Sequence, residues 1–431
     1  MEVCHPNAAG IDIGSRNFFV SAEDDEVKVF PTYKEGCHEV RDYLASLGIT
    51  TVAMESTGVY WVVLYAVLEE AGLDVYLVNG RDAKNVPGRK SDVKDCQWLR
   101  QLHSYGLLKK SFIPGETTRQ LRGYMRLRQD HIRAQATQAH LMQKSLTQMN
   151  LRLTEAISDI MGASGRAMLD AILGGERDPE ALVSLCHEKI LQTKRDLVLK
   201  SLQGDYRAEH LFALRHARQT WDYYQAMILE CDREMEKLLG DITGGMGEIK
   251  LEGKRKAIRY NKPQIDGLPQ LLLKMTGGKD PTGIAGITDY TFLQIVSELG
   301  TDMDPWPTEK QFIGWLKLGG MRSSSGNVSK RVVAKRTNKA SLLFRNVAQG
   351  ILTSKHLALG SFGRRVRSKR GSGVAIKAVA RKIACYYYRV MTKGIAFVEK
   401  GIEMYEAQQK AQQQKYLEKM ALKLNMHLVP A

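Results

Sequence analysis

Residues 9–14 read Ala-Gly-Ile-Asp-Ile-Gly and place one acid inside an apolar strand, the feature from which the fold can be worked out. The tight turn that follows leads into strands predicted at residues 18–22 and 27–31. Further along, strand signals at residues 50–55 and 75–79 alternate with helical periodicity at residues 37–47, 58–71 and 91–103. Hairpins followed by this alternation predict an α/β domain over residues 1–113, with a mixed sheet and helices on its faces.

The rest of the chain is predicted to be mainly α-helical. We expect a helical region over residues 114–240, a linker at 241–281, a mainly helical domain at 282–398 and a helical tail at 399–431. A heptad repeat over residues 121–153 predicts a coiled-coil helix. Dimerisation through this helix is the favoured interpretation. The polar seam residues Arg128 and Gln135 leave packing within the same chain as the alternative.

Charge is concentrated in one part of the chain. The net charge is +16, and residues 310–398 contain 20 lysines and arginines with no aspartate or glutamate. Such a stretch indicates contact with nucleic acid, the alternative being a basic region without a specific partner. No apolar run approaches the ~18 residues of a membrane span. Six scattered cysteines without a CxxC pair predict reduced core thiols in a cytoplasmic protein.

Four acids have the positions expected of metal ligands. Asp12 lies within the first strand, Glu55 ends the fourth strand, and Asp92 and Asp95 share one face of a predicted helix. Because burying unpaired carboxylates is costly, the set favours a site for Mg²⁺, with Mn²⁺ possible. A solvated helix face is the alternative for the helical pair. Metal ions held by oxygen ligands indicate phosphodiester chemistry.

A second candidate site is the serine-rich basic segment at residues 322–331, within a predicted polar loop. The hydroxyl of Ser325 can attack phosphorus if a base or a metal activates it, and the glycine beside it would let DNA approach. Ser323 and Ser324 compete for this role, and phosphate binding alone is the simpler interpretation of the residues themselves. The cations expected to contact nucleic acid are Arg322, Lys330, Arg331, Lys335, Arg336, Arg364, Arg365 and Arg367.

Residues 283–288 form a third candidate. They precede an amphipathic helix predicted at residues 289–299 and look like a degenerate helix-hairpin-helix motif, whose backbone amides could hold a phosphate. A plain helix N-terminus is the alternative.

These motifs together resemble the bacterial insertion-sequence transposases of the DEDD type, also called bridge-RNA-guided recombinases. Gly10-Ile11-Asp12, Glu55-Ser56-Thr57-Gly58-Val59-Tyr60 and Lys90-Ser91-Asp92-Val93-Lys94-Asp95 are similar to the acidic motifs of that family, and Ser325-Gly326 falls at its catalytic serine. The resemblance covers nearly the whole chain. The chain departs from the family at residues 285–288, Ala-Gly-Ile-Thr in place of the usual Pro-Gly-Ile-Gly, and in a longer middle and linker.

The resemblance implies a ribonuclease-H-like (RuvC-like) first domain, a coiled coil and a C-terminal transposase domain. It implies that the four acids bind Mg²⁺ and that Ser325 forms a phosphoserine with DNA during cleavage and rejoining. The implied partners are donor and target DNA, a structured noncoding bridge RNA, and further copies of the chain in a dimer or a synaptic tetramer. The implied location is the bacterial cytoplasm, at the nucleoid during the reaction. A junction-resolving nuclease that uses water, and a non-catalytic RNA-binding protein, are the alternatives.

Overall fold

The computed structural model divides the chain into two units, Met1–Ile113 and Pro114–Ala431. The residues that the structure describes are 2–22, 26–56, 58–80, 92–251, 253–319, 321–325, 328–332, 337–354, 357–394, 407, 410–411 and 414–426. For residues 321–325 and 328–332 the description covers the backbone alone. The finer division of the second unit into a helical region, a linker, a transposase domain and a tail stays a prediction.

The first unit is built on the mixed sheet that the order of strands and helices predicts. Its strands are β1 (Ala8–Ile13), β2 (Asn17–Ser21), β3 (Val27–Pro31), β4 (Thr51–Glu55) and β5 (Asp74–Val78). They lie in the order β3-β2-β1-β4-β5, with β1, β2 and β3 antiparallel and β4 parallel to both β1 and β5. The helices of this unit include Lys34–Ser46, Trp61–Glu70 and Asp92–Ser104.

The alternation of side chains along β1 divides them between two layers. Ile11 and Ile13 are buried in the main core, together with apolar residues of the helices Lys34–Ser46 and Trp61–Glu70. Gly10 lies on the opposite face, where the Asp92–Ser104 helix packs on the strand. Asp12 comes two residues after Gly10 and therefore shares the face covered by this helix.

The second unit is mainly helical where it is described. Its helices span Glu116–Gln148, Leu153–Ala156, Ala163–Leu173, Pro179–Ser184, Glu188–Ser201, Ala208–Thr243, Leu268–Met275, Asp289–Leu299, Glu309–Trp315, Lys339–Thr353, Ala358–Arg370 and Ser372–Lys393, with a 3₁₀ turn at Pro281–Gly283. Residues 414–423 of the tail are also helical, as predicted. Several helices begin at side-chain caps visible in the sequence, such as the capping box of Thr308 and Gln311.

The heptad seam of the long helix is filled from within the chain, which corrects the preference for dimerisation through it. The Glu116–Gln148 helix packs against the Ala208–Thr243 helix, and the pair is antiparallel because Arg128 meets Asp232 while Gln135 meets Gln225. The side chains of Arg128 and Asp232 are each 1% exposed, with Nε and Oδ1 2.5 Å apart. The polar seam residues thus have partners in the same chain, the alternative that the sequence leaves open.

Residues 321–332 form a β-hairpin where the sequence predicts a polar loop. Strands β6 (Met321–Ser325) and β7 (Val328–Val332) pair antiparallel, from Met321 opposite Val332 to Ser325 opposite Val328. The polar composition hides this pairing because a strand ladder is held by backbone hydrogen bonds, whatever the side chains. The hairpin leaves two residues between its strands.

None of the helices in the described ranges is long and apolar enough to cross a membrane.

The six cysteines are all free, as predicted, but they are not all core residues. Cys4 is exposed and Cys385 is half-buried, whereas the other four are buried. Cys186 contacts the sulfur of Met168 at 3.8 Å, and His187 caps the following helix by accepting the amide of Lys189. Cys186 and His187 therefore have structural roles, in packing and in helix capping.

Candidate active site

Asp12 and Glu55 lie side by side at the ends of two parallel strands. Ile11 is in register with Met54 across β1 and β4, so the next residue on each strand, Asp12 and Glu55, occupies the same level of the sheet. In-register neighbours on paired strands point to the same face. Both residues are half-buried.

A close contact at Gly10 holds the helix that carries the other two acids against β1. A Cβ atom at position 10 would overlap the backbone nitrogen of Arg100 and the carbonyl oxygen of Cys96 and lie 2.9 Å from the Cα of Arg100. The absence of a side chain therefore lets the Asp92–Ser104 helix rest its backbone directly on β1. Asp92 and Asp95 occupy the first turn of that helix, where the helix dipole stabilises negative charge.

The carboxyl group of Asp12 interacts electrostatically with the other three acids. Burial is the largest cause of a pKa raised to about 6, and the charges of Asp92, Glu55 and Asp95 raise it further. The neighbouring thiol of Cys96 responds in the same way, because burial raises its pKa to about 12 and the charge of Asp12 adds to the effect. Asp12 is thus a partly desolvated acid that faces three others.

A second glycine fits the carboxylate of Glu55. A Cβ atom at Gly80 would lie 2.5 Å from the Cδ atom of Glu55 and 3.0 Å from Oε2. The sequence alone predicts no such role for Gly10 or Gly80. A glycine inside a buried strand is a signal that could have identified Gly10, whereas a glycine that follows a strand, such as Gly80, is too common to be informative.

Comparison with known proteins bears directly on this site. Residues 9–151 match the DEDD transposases of the IS110 type, a family described as transposases. The segment that carries the four acids is therefore similar to a transposase domain. The match contains all four acids and confirms the family resemblance that their motifs indicate. No curated protein is similar enough in sequence to count as a match.

The four acids of the matched segment fit a divalent cation by their chemistry. They supply oxygen donors only, and a cation beside Asp12 would offset both the burial and the repulsion that raise the pKa of its carboxyl group. Within the described residues, no three His, Cys, Asp or Glu side chains already surround one metal position. The fit therefore rests on the donor set and its electrostatics.

For the predicted serine site, the structure gives the backbone position. Ser325 is the last residue of β6, at the turn end of the hairpin. The structure describes only the backbone of Arg322, Lys330 and Arg331 on the same hairpin. Lys335 and Arg336 lie outside the described residues.

The three predicted arginine contacts on the Ala358–Arg370 helix have different surroundings. Arg364 is half-buried and donates hydrogen bonds to the carbonyl oxygen of Ser354 and, at 3.1 Å, to the hydroxyl of Ser361. Its guanidinium therefore helps close the end of the preceding helix. Arg365 and Arg367 are exposed.

Proposed function

We propose that this protein is an RNA-guided DNA recombinase of a mobile element, which cuts and rejoins DNA through a phosphoserine and uses Mg²⁺ in a ribonuclease-H-like domain. The observation that carries the proposal is the electrostatic interaction of Asp12 with Glu55, Asp92 and Asp95 within the segment that matches transposases. The sheet, in which three antiparallel strands are continued by two parallel ones, supports the expected fold.

Asp12, Glu55, Asp92 and Asp95 would hold Mg²⁺, with Mn²⁺ as a substitute. A divalent ion bound by these oxygens would stabilise the negative charge that develops on the reacting phosphodiester. Because the pKa of Asp12 is about 6, its carboxyl group is ionised and ready to act as a ligand above that pH.

Ser325 is the proposed nucleophile. Its oxygen would bond to phosphorus while the DNA ester oxygen leaves and takes up a proton. The hydroxyl of the exchanged strand would then attack the phosphoserine and free the serine. Ser325 ends β6 opposite Val328, and Arg322, Lys330 and Arg331, which could contact the DNA backbone, belong to the same hairpin.

The basic C-terminal part would hold nucleic-acid backbones, and base pairing with a bridge RNA would supply sequence recognition. Lys335, Arg336, Arg365 and Arg367 would add phosphate contacts, whereas Arg364 contributes less because its guanidinium is engaged within the fold. The partners would be donor DNA, target DNA and RNA, with a dimer or tetramer forming the synaptic complex at the bacterial nucleoid.

The test is recombination between two plasmids, with and without the noncoding RNA of the element, combined with trapping of covalent adducts under denaturing conditions. We expect RNA-dependent recombination and an adduct that Ser325→Ala removes. Ser324→Ala and Ser329→Ala, on the same hairpin, are matched controls that should retain the adduct. If Ser324→Ala alone lost the adduct, the nucleophile would be Ser324 instead of Ser325. Recombination without the RNA would show that the reaction is not RNA-guided.

A metal-dependent nuclease that uses water is the second candidate, favoured by the fact that all four acids belong to one unit. It predicts Mg²⁺-dependent cleavage without an adduct, unchanged in Ser325→Ala. If Asp12→Ala left every measured activity intact, neither enzyme would be supported, and a non-catalytic RNA-binding protein would be the better description.

A further inference from the structure

The backbone turn before the Asp289–Leu299 helix accepts three hydrogen bonds from the ammonium group of a lysine. The Nζ atom of Lys256 donates hydrogen bonds to the carbonyl oxygens of Thr282, Ile284 and Ile287, at 2.6 Å for Ile284 and 3.3 Å for Ile287. An ammonium group has three hydrogens and no acceptor. Three carbonyl oxygens from a single turn thus match its full set of donors.

This arrangement is the chemistry of a site for a monovalent cation. Carbonyl oxygens that converge on one point repel one another unless a positive charge lies between them. Neighbouring acids add to the attraction, because Asp280 and Asp289 both raise the pKa of Lys256 against the burial that lowers it. We propose that Thr282, Ile284 and Ile287 form a monovalent-cation site that the chain fills with its own Lys256.

Arg255, the residue before Lys256, contacts the side chains of residues in and beside the same turn. Arg255 donates to Asp280 Oδ2 at 2.7 Å and to the hydroxyl of Thr282, and lies 3.7 Å from Asp289 Oδ1. Residues 255 and 256 belong to the stretch that the sequence presents as a linker. Two consecutive cations of that stretch therefore tie it to the turn.

The shape of the turn matters for packing beyond it. Gly286 has φ +79°, and a Cβ atom there would lie 2.8 Å from Val347 Cγ1 and 3.3 Å from Ile351 Cδ1. The turn thus rests closely on the Lys339–Thr353 helix, which follows the hairpin that carries Ser325. If the carbonyl oxygens lose their cation and move apart, this contact loosens as well.

The test is thermal melting of the full chain in chlorides of potassium, ammonium or tetramethylammonium at matched ionic strength. The wild-type protein should melt alike in all three salts. Lys256→Ala should melt about 4 °C lower in tetramethylammonium chloride and recover at least half of that loss, with a saturable dependence, in ammonium or potassium chloride. Tetramethylammonium is too large and has no hydrogens to donate, so it cannot replace Nζ.

Two further variants keep the result unambiguous. Lys256→Arg keeps the charge but presents a planar donor group that cannot point three hydrogens at one cluster of carbonyls, so we expect it to melt below the wild type too. Lys254→Ala removes an exposed lysine two residues away and should behave as the wild type in every salt. Wild-type melting of Lys256→Ala, or a loss that no small cation reverses, would overturn the proposal.

Discussion

The carboxylate of Glu55 occupies the space in which a side chain at position 80 would begin, and Gly80 keeps that space open. This carboxylate is the end of a flexible side chain. A methyl group at position 80 would therefore push the carboxylate aside and leave the backbone unchanged. The geometry of the acidic site therefore depends on a residue that carries no chemistry of its own.

Gly80→Ala should accordingly separate activity from stability. We expect about a 100-fold loss of Mg²⁺-dependent DNA processing, because displacement of a catalytic group by about 1 Å has effects of this order, and a melting temperature within about 2 °C of the wild type. Gly123→Ala, in an open position of the Glu116–Gln148 helix, is the control and should remain active. Wild-type activity in Gly80→Ala would show that the observed position of Glu55 is not required.

Gly10→Ala should have the opposite effect. The atoms that an added Cβ would meet belong to the backbone of the Asp92–Ser104 helix, which cannot turn aside as a carboxylate can. We expect a loss of about 3 kcal/mol or more in the unfolding free energy of the first unit, measured by urea denaturation. A variant as stable as the wild type would mean that the helix does not rest on β1 in solution.

Asp12→Asn should stabilise the metal-free protein at neutral pH. Folding raises the pKa of Asp12 from 3.8 to about 6, so the folded state binds the extra proton between these values. The contribution of this group to stability is present at low pH and lost as pH rises through 6. Without divalent ions, the variant should be more stable than the wild type by up to about 3 kcal/mol at pH ~7.5 and equal to it near pH ~4. Added Mg²⁺ should raise the melting temperature of the wild type but not that of Asp12→Asn. If Asp12→Asn were no more stable than the wild type without divalent ions, the proposed repulsion among the acids would be contradicted.

His103 should act on stability in the opposite direction. It is 1% exposed, its Nε2 atom lies 2.8 Å from Thr51 Oγ1, and burial lowers its pKa to about 4 from 6.5. The unfolded chain therefore binds the extra proton between these values, and about 3 kcal/mol of stability present above pH ~6.5 is lost as pH falls toward 4. Asp12 offsets this loss in the wild type, so the stability of Asp12→Asn should fall more steeply on acidification than that of the wild type, although the two are equal near pH ~4. Asp12→Asn combined with His103→Gln should not show this steeper fall. Equal pH profiles for the single and double variants would exclude His103 as the cause.

The buried pair of Arg128 and Asp232 should be strongly coupled. Arg128→Met leaves an unpaired carboxylate 1% exposed, and we expect a loss of about 3–5 kcal/mol in unfolding free energy. Arg128→Met combined with Asp232→Leu should recover most of that loss, because an apolar pair of similar size needs no desolvation. Equal stability of the single and double variants would show that the ion pair does not hold the two long helices together.

Many of the strands and helices of this protein can be predicted from the pattern of apolar and polar residues. Apolar runs bounded by turns predict the five strands, and heptads predict the long helix. The spacing of apolar residues reflects the periodicity of the local backbone and does not depend on which segment covers them. The partner of the long helix does not follow, since a heptad seam fits a second copy or a later helix equally well until Asp232 is found opposite Arg128. The hairpin at residues 321–332 was hidden because its strands are held by backbone pairing rather than by an apolar face.

The sequence by itself determined the types of side chain available to this protein: four acids in motifs of a transposase family, a basic C-terminal stretch, and a serine beside a glycine. Only the tertiary structure decided that Asp12 faces Glu55, Asp92 and Asp95, that Gly10 and Gly80 leave the room for it, and that Lys256 fills a turn of carbonyl oxygens. The reason is physical. Residue type fixes charge and hydrogen-bonding capacity, whereas repulsion, desolvation and close contact depend on distances that arise only when segments far apart in the chain pack together.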